Sequence, residues 1–204
     1  MVSWEALAAF AVIFAAFCAA PGPAVAAVLA RVMAQGSAGM VWFVSGLMLG
    51  DVLWFLVAVF GLAALAALIQ PVFFVLKYLG AAYLLYLAWK LWNAPATAAP
   101  TLPVRGQGLK LFRGGLLLTM GNPKTMLFYL AVLPALIDLP SLTTTGLLEI
   151  TAAIVVVFAA VFTAIVVLAA HVRRLFTSPR AVRIVNRTSG VAMAGAAAVL
   201  AVRQ

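Results

Sequence analysis

A lysine lies inside an apolar stretch of the sequence. The stretch runs from Leu111 to Ile137 and is interrupted by Gly121, Asn122, Pro123 and Lys124. Pro123 lacks a backbone N–H and its ring clashes with the preceding turn, while Gly121 disfavours a helix, so the helix should break here. Because hydrocarbon cannot satisfy freed backbone groups, such a break is stable only inside protein or beside a water-filled cavity.

A second apolar stretch, from Trp4 to Val32, is interrupted in the same manner by Pro21, Gly22 and Pro23. Paired interruptions in corresponding helices of two halves indicate the substrate site of a transporter. We expect Arg31 to end this helix at the membrane surface. Gly22 lies nine residues before it, which is about 14 Å of helix and close to half of the hydrocarbon thickness.

The composition predicts an all-α integral membrane protein. Hydrophobic residues occupy 67% of the 204 positions and charged residues 8%, compared with roughly 45–50% apolar residues in soluble domains. This length accommodates about six helices of the ~20 residues that cross a bilayer. No Lys or Arg precedes the first apolar stretch, so we interpret it as a retained helix and not as a cleaved signal peptide.

The predicted organisation is one transmembrane domain over 1–204, with a first repeat at about 1–92, a cytoplasmic loop at 93–110 and a second repeat at about 111–204. The helices are predicted at about Trp4–Val32, Met40–Leu68, Pro71–Trp92, from Leu111 to the Pro134–Pro140 region, Leu147–Ala170 and Thr188–Val202. The region from His171 to Arg187 resembles an interfacial amphipathic helix. Glu149 is expected to reach water at the membrane surface, and His171 to be solvated in a basic loop.

Positive charges predict the orientation. Most of them flank the loops after the first, third and fifth helices: Arg31, Lys90, Arg105, Lys110, Arg113, Arg173, Arg174, Arg180, Arg183 and Arg187. An excess of Lys and Arg marks cytoplasmic loops. Both termini are therefore predicted to be periplasmic, and three helices in each half make the two halves an inverted repeat. This placement also explains the basic charge without a nucleic-acid partner.

Asp51 is the second ionisable residue predicted near the midplane, because it is 11 residues from Met40, or roughly 17 Å along a helix. Gly46 and Gly50 precede it and leave one face smooth enough for another backbone to approach closely. Ionisable groups inside a membrane indicate a functional site. The alternative is that Asp51 and Lys124 form one buried ion pair that only fixes the helix register.

The sequence argues against an enzyme. It has one His and one Cys, so it contains no zinc-binding cluster and no Cys/His pair, and we predict no cofactor. Cys18 is interpreted as a packing residue. Two alternatives stay open: a metal ion or another small metabolite as the exported species, although a cation would require more Asp, Cys or His ligands, and a structural membrane protein, which would not need Asp51 and Lys124 at mid-depth.

Motifs along most of the chain resemble those of the LysE/RhtB amino-acid exporter family. They are Pro21-Gly22-Pro23 with the following glycines, Gly50-Asp51, the block from Lys77 to Leu84, and Asn122-Pro123-Lys124. The resemblance implies export of an amino acid or a derivative across the bacterial inner membrane by proton antiport. Asp51 would match the acidic residue of the family's second helix. The family's Pro-Gln-Phe after this motif is absent, because Ala135 and Leu136 follow Pro134.

Two hypotheses assign roles to these residues. The half-helix that begins after Pro23, or the one after Pro123, would direct its free N–H groups at the substrate carboxylate. Asp51 would exchange the proton, with Lys124 as its partner or as a second contact to the carboxylate. The expected partners are an amino acid, protons and the lipid bilayer, and a homodimer is left open.

Overall fold

The computed structural model describes residues 2–60, 107–139 and 141–175, together with isolated residues between 78 and 93 and between 183 and 198. All regular structure in these parts is helical. Its elements are α1 (Trp4–Ala19), α2 (Pro23–Gln35), α3 (Met40–Val59), α4 (Gln107–Met120), α5 (Pro123–Leu127), a π-helix (Phe128–Val132), α6 (Leu133–Leu136) and α7 (Thr144–Leu175).

Several predictions concern residues that the structure does not describe. The third and sixth predicted helices, Pro71–Trp92 and Thr188–Val202, lie largely outside the described residues, as do most of the loop at 93–110 and the amphipathic region after Leu175. In the described part, α3 and α7 are each long and apolar enough to cross a membrane. That number rises to four if α1 with α2, and α4 with α5 and α6, are each counted as one bent span.

Both apolar stretches bend sharply beside their prolines. The axes change direction by 54° between α1 and α2, and by 53° between α4 and the helix that begins at Pro123. A residue that precedes proline is pushed out of the helical region towards extended backbone. Ala20, Gly22 and Asn122 each precede a proline, and all three are extended. Proline then occupies the first position of the next helix, which suits its fixed φ.

The helices α3 and α4 touch backbone to backbone. A Cβ atom added to Gly46 would overlap the carbonyl group of Phe112, and one added to Gly115 would overlap that of Phe43. A Cβ at Gly50 would lie 2.6 Å from Cβ of Thr119. The predicted close approach of another backbone to the Gly46–Gly50 face is therefore confirmed, and it holds Asp51 next to the second helix break.

The first broken helix is longer than expected at its C-terminal end. Arg31 does not end the helix at the surface, because α2 continues to Gln35 and Arg31 is only 8% exposed. The helix ends at Gly36, which has a φ of 79°. This left-handed conformation favours glycine at a helix end.

The helix α7 extends beyond the predicted Leu147–Ala170 at both ends. The Thr143 hydroxyl accepts a hydrogen bond from the Gly146 N–H at 3.2 Å and caps its start. His171 belongs to the helix, so its predicted position in a loop was wrong, although its side chain is exposed. Nε of Arg173 donates to the carbonyl of Met33 at 3.0 Å. This bond to the end of α2 helps to keep the last turn helical.

Glu149 is half-buried near the start of α7. Its carboxylate accepts a hydrogen bond from the backbone N–H of Val2 at 2.9 Å. This contact ties the beginning of the chain to α7, while the carboxylate stays partly exposed. The cause is the position of the residues before α1, which bring an unpaired backbone donor next to the carboxylate.

Candidate functional site

A small polar cavity of about 20 Å³ lies between the two helix breaks. Its polar wall consists of Asp51, Asn122, Lys124 and Thr125, and Gly22 borders it from the start of α2. Four of the residues predicted for the site, namely Gly22, Asp51, Asn122 and Lys124, therefore line one space. The helix breaks bring them together, because each break turns its backbone and nearby side chains towards the same point.

The three prolines predicted for the site do not line the cavity. Pro21, Pro23 and Pro123 are not among the residues that line the cavity. Pro23 and Pro123 each occupy the first turn of the helix that follows the break, and Pro21 is exposed in the link between α1 and α2. Their part in the site is to shape the backbone around the cavity.

Lys124 caps the broken end of α1. Its Nζ donates hydrogen bonds to the carbonyl oxygens of Phe17 at 2.8 Å and Ala20 at 2.7 Å, and it lies 4.6 Å from the centre of the Phe17 ring. The last carbonyl groups of a helix have no partner within the helix, and hydrocarbon offers them none. Lys124 supplies these partners, and its ammonium charge suits the negative end of the helix dipole.

The second break also receives a hydrogen bond from the first half of the chain. Nε1 of Trp54, on α3, donates to the carbonyl of Thr119 near the end of α4 at 3.3 Å. Thus a side chain from the second half supplies partners at the broken helix of the first half, whereas Trp54 adds a second hydrogen bond to a carbonyl that already accepts one from the Asn122 N–H.

Asp51 is buried beside this arrangement, with 3% of its surface exposed. Lys124 and the Tyr129 hydroxyl group are its neighbours. Among the described residues, neither Oδ1 of Asp51 nor the Tyr129 hydroxyl makes a hydrogen bond of ordinary geometry, although the two groups are close enough to interact. A buried polar group left without a partner costs about 1–3 kcal/mol. The unpaired carboxylate oxygen is therefore available to a cation or a proton donor in the cavity.

The two helix starts at the cavity differ in their capping. The side chain of Asn122 accepts a hydrogen bond from the backbone N–H of Lys124 at 3.1 Å, so the start of α5 already has an internal cap. The cap residue of α2 is Gly22, which has no side chain that could do the same. Ala24 and Val25, whose N–H groups belong to this first turn, line the cavity. Of the two predicted half-helices, α2 thus has the start better suited to bind an anionic group.

The cavity also has an aromatic part that sequence reasoning missed. Phe158 and Phe162 of α7 line it, and their rings stack with centroids 4.3 Å apart and an interplanar angle of 17°. We call these two residues the aromatic pair. The sequence of this helix is nearly featureless, with Val, Ile and Ala dominating. The signal that could have found the pair is its spacing of four residues, which places both rings on one helix face.

Two further residues at the site were missed or given another role. Tyr129 lies in the π-helix, an uncommon element that often occurs at functional sites, and nothing in the sequence predicts it. Cys18 is buried in the hydrophobic core, which agrees with its interpretation as a packing residue, and it also lines the cavity. Its position one turn before the break could have suggested this.

Apolar helices that break around a polar cavity form the architecture of a membrane transport protein. The chain belongs to the LysE type translocator family, whose family model matches residues 15–204. This assigns it to the class of membrane translocators and agrees with the family resemblance of its motifs. No solved structure matches the chain.

Individual relatives are membrane proteins as well. An uncharacterized membrane protein of Vibrio cholerae is 29% identical over 205 residues, which cover 97% of this chain and 96% of the relative. An uncharacterized membrane protein of Pseudomonas aeruginosa is 39% identical over 126 residues, 58% of this chain and 57% of the relative. A leucine efflux protein of Salmonella typhimurium is 35% identical over 121 residues. The matched region spans 57% of that protein's length and 58% of this chain.

Proposed function

We propose that this protein is a secondary transporter that exports an amino acid or an amino-acid derivative across the bacterial inner membrane in exchange for protons. Six helices in two inverted repeats would form it. The observation that carries the proposal is the unpaired carboxylate oxygen of Asp51 in a cavity between two broken helices. The family of translocators to which the chain belongs, and the leucine efflux protein among its relatives, support the same class of substrate.

The substrate's carboxylate would bind at the start of α2. The first N–H groups of this helix have no side-chain cap, and they carry the positive end of the helix dipole. Lys124 adds a positive charge nearby: its Cδ lies 3.1 Å and its Nζ 3.4 Å from the position of a Cβ added to Gly22. An anionic group at this point therefore has both backbone donors and a cation within reach.

Asp51 would bind the substrate's ammonium group and exchange the proton. Its Oδ1 makes no hydrogen bond of ordinary geometry with the described residues, and a carboxylate buried in an apolar environment needs a cation or a proton to offset its desolvation. When the ammonium group leaves, a proton replaces it. Substrate and proton thereby compete for one group, and this competition couples their movements in opposite directions.

The test uses proteoliposomes with an acidic interior, because a proton gradient of this direction drives antiport uptake. The unmodified protein should concentrate an amino acid from a mixture of the common ones. Asp51→Asn keeps the size of the side chain but removes both its charge and its titration, so this variant should bind the substrate's ammonium group poorly and should not concentrate the substrate. Asp138→Asn, which changes an exposed carboxylate, is the matched control and should pump normally.

Two outcomes would contradict the proposal. If Asp51→Asn still accumulated substrate against its concentration, Asp51 would not be the coupling group. If the unmodified, correctly inserted protein accumulated none of the amino acids, the assignment as an amino-acid exporter would be wrong.

A further inference from the structure

We infer that the site takes amino acids with uncharged, apolar side chains, and that Phe158 and Phe162 select them. This inference rests on the proposed function and adds the chemistry of the substrate's side chain. It follows from the charges that line the cavity and from the position of the aromatic pair.

The charged groups of the cavity are matched by the parts that all amino acids share. Among the described residues that line it, Asp51 is the one acidic group and Lys124 the one basic group. The substrate's ammonium group requires Asp51, and its carboxylate requires the start of α2 and the nearby Lys124. A charged substrate side chain would add a third charge without a counter-charge here. Burial of such an unpaired ion strongly disfavours binding.

The aromatic pair forms an apolar wall of the cavity. Phe158 and Phe162 are each 2% exposed and lie on α7, an element that contributes no charged group to the cavity. The third aromatic residue, Phe17, is already engaged, because its ring stacks on Phe128 at 4.2 Å and contacts the Lys124 ammonium group. An apolar substrate side chain would therefore lie against the aromatic pair, where removal of its surface from water favours binding.

The substrate's side chain should have a large effect on transport. In an apolar pocket, one methylene group changes discrimination by at least about tenfold. Leucine and valine should therefore be preferred over glycine, which offers the same ammonium and carboxylate groups without a side chain. Lysine and glutamate should be transported less well than leucine and valine, because their side chains carry an additional charge.

The experiment measures efflux from proteoliposomes that are loaded with one labelled amino acid at a time. Glycine, valine, leucine, phenylalanine, lysine and glutamate are compared at equal concentration, with protein-free vesicles as background. We expect valine or leucine to leave at least about tenfold faster than lysine and glutamate. If lysine or glutamate left as fast as leucine, the inference would be overturned while the proposed function stood. If no amino acid left faster than background, the proposed function itself would fail.

Variants test the assignment to the aromatic pair. Phe162→Leu gives more room for a substrate side chain, so the ratio of phenylalanine to valine efflux should rise about tenfold. Phe10→Leu is the matched control, since Phe10 is fully buried on α1 but does not line the cavity; it should leave the ratio unchanged. Phe158→Leu tests the same wall if Phe162→Leu fails to insert. An unchanged ratio in a folded variant of the pair, or an equal change in the control, would assign the selection to other residues.

Discussion

The ammonium nitrogen of Lys124 lies 2.7 Å from the carbonyl oxygen of Ala20, the residue that follows the last turn of α1. These residues belong to different halves of the chain, and their contact stabilises the end of a helix inside an apolar environment. Trp54 makes the corresponding contact in the other direction, from α3 to Thr119 of α4. The two broken helices are thus stabilised by each other's half, and this explains why a lysine is tolerated at this depth.

Replacement of Lys124 tests this capping role. Lys124→Met removes both donors and leaves the carbonyl groups of Phe17 and Ala20 without partners. Each unsatisfied buried acceptor costs about 1–3 kcal/mol. The melting temperature of the purified protein in detergent should therefore fall clearly, whereas Lys110→Met, which replaces an exposed lysine of α4, should leave it nearly unchanged.

A double variant distinguishes the cap from a buried ion pair. If Lys124 served mainly to neutralise Asp51, removal of both charges would restore the stability that Lys124→Met loses. Because Lys124 donates to carbonyl groups, we expect no restoration in the Asp51→Asn, Lys124→Met protein. A melting temperature that returns to the original value would show that the ion pair is the main interaction.

Gly22 should be sensitive to any side chain for a reason of space. Its φ of −177° is extended backbone that any residue adopts, so no strain is expected, but a Cβ would lie 3.1 Å from Cδ of Lys124. Gly22→Val should displace Lys124 and fill the cavity, and so abolish export while membrane insertion is kept. Efflux assays and membrane fractionation measure both. Ala19→Val, at an exposed position in α1, is the control, and normal export by Gly22→Val would refute the location of the site.

The glycine contacts between α3 and α4 predict a large effect of a small change. Gly46→Ala introduces a methyl group where the carbonyl of Phe112 already lies. Overpacking of this kind costs about 1–3 kcal/mol, so the variant should melt at a lower temperature or insert poorly. At Gly195 a Cβ would meet no atom within 4 Å, and Gly195→Ala should be neutral. Equal melting temperatures for the two variants would contradict the tight crossing.

The bond between Arg173 and Met33 predicts a stabilising contact at the far end of α2. Arg173→Gln removes the guanidinium donor and should lower stability by roughly 1.5–3 kcal/mol, the range for a hydrogen bond to a charged group. Arg113→Gln removes the same charge from an exposed position and should have little effect. The prediction fails if both variants unfold at the same denaturant concentration.

Reporter fusions test the proposed orientation and the number of helices. A periplasm-dependent enzyme fused to either terminus should be active, and a cytoplasm-dependent fluorescent reporter should be dark at both. Cytoplasmic signals from both ends would invert the orientation that the loop charges predict. Signals from opposite sides would contradict the even number of membrane spans.

The sequence was sufficient to locate the breaks and the polar residues at them, because proline, glycine and membrane-embedded charges have strong local effects. Pro21 and Pro123 disfavour the helical conformation of the preceding residue, and Gly22 and Gly121 near them weaken the helix further. Asp51 could be placed by counting along α3, since a helix converts residue number into depth. These inferences depend only on properties of short segments.

The contacts between segments could not be predicted in the same way. Nothing near Lys124 in the sequence indicates that its partners are carbonyl groups of α1, because that contact depends on how two distant helices pack. The same holds for the aromatic pair, which reads as ordinary apolar sequence until α7 is placed beside the cavity. The contact of Arg173 with α2 was missed because the end of a helix is weakly specified when a distant partner stabilises its last turn.

The crossing of α3 and α4 limits how the cavity could change its exposure in the proposed transport. Where two backbones touch through Gly46 and Gly115, a shift of either helix along the other would bring a larger side chain to a place that holds only a hydrogen atom. The two helices should therefore move as one rigid body and carry Asp51 with them. Alternating access would then arise from the shorter segments α2 and α5, which can pivot at their proline breaks against this fixed frame.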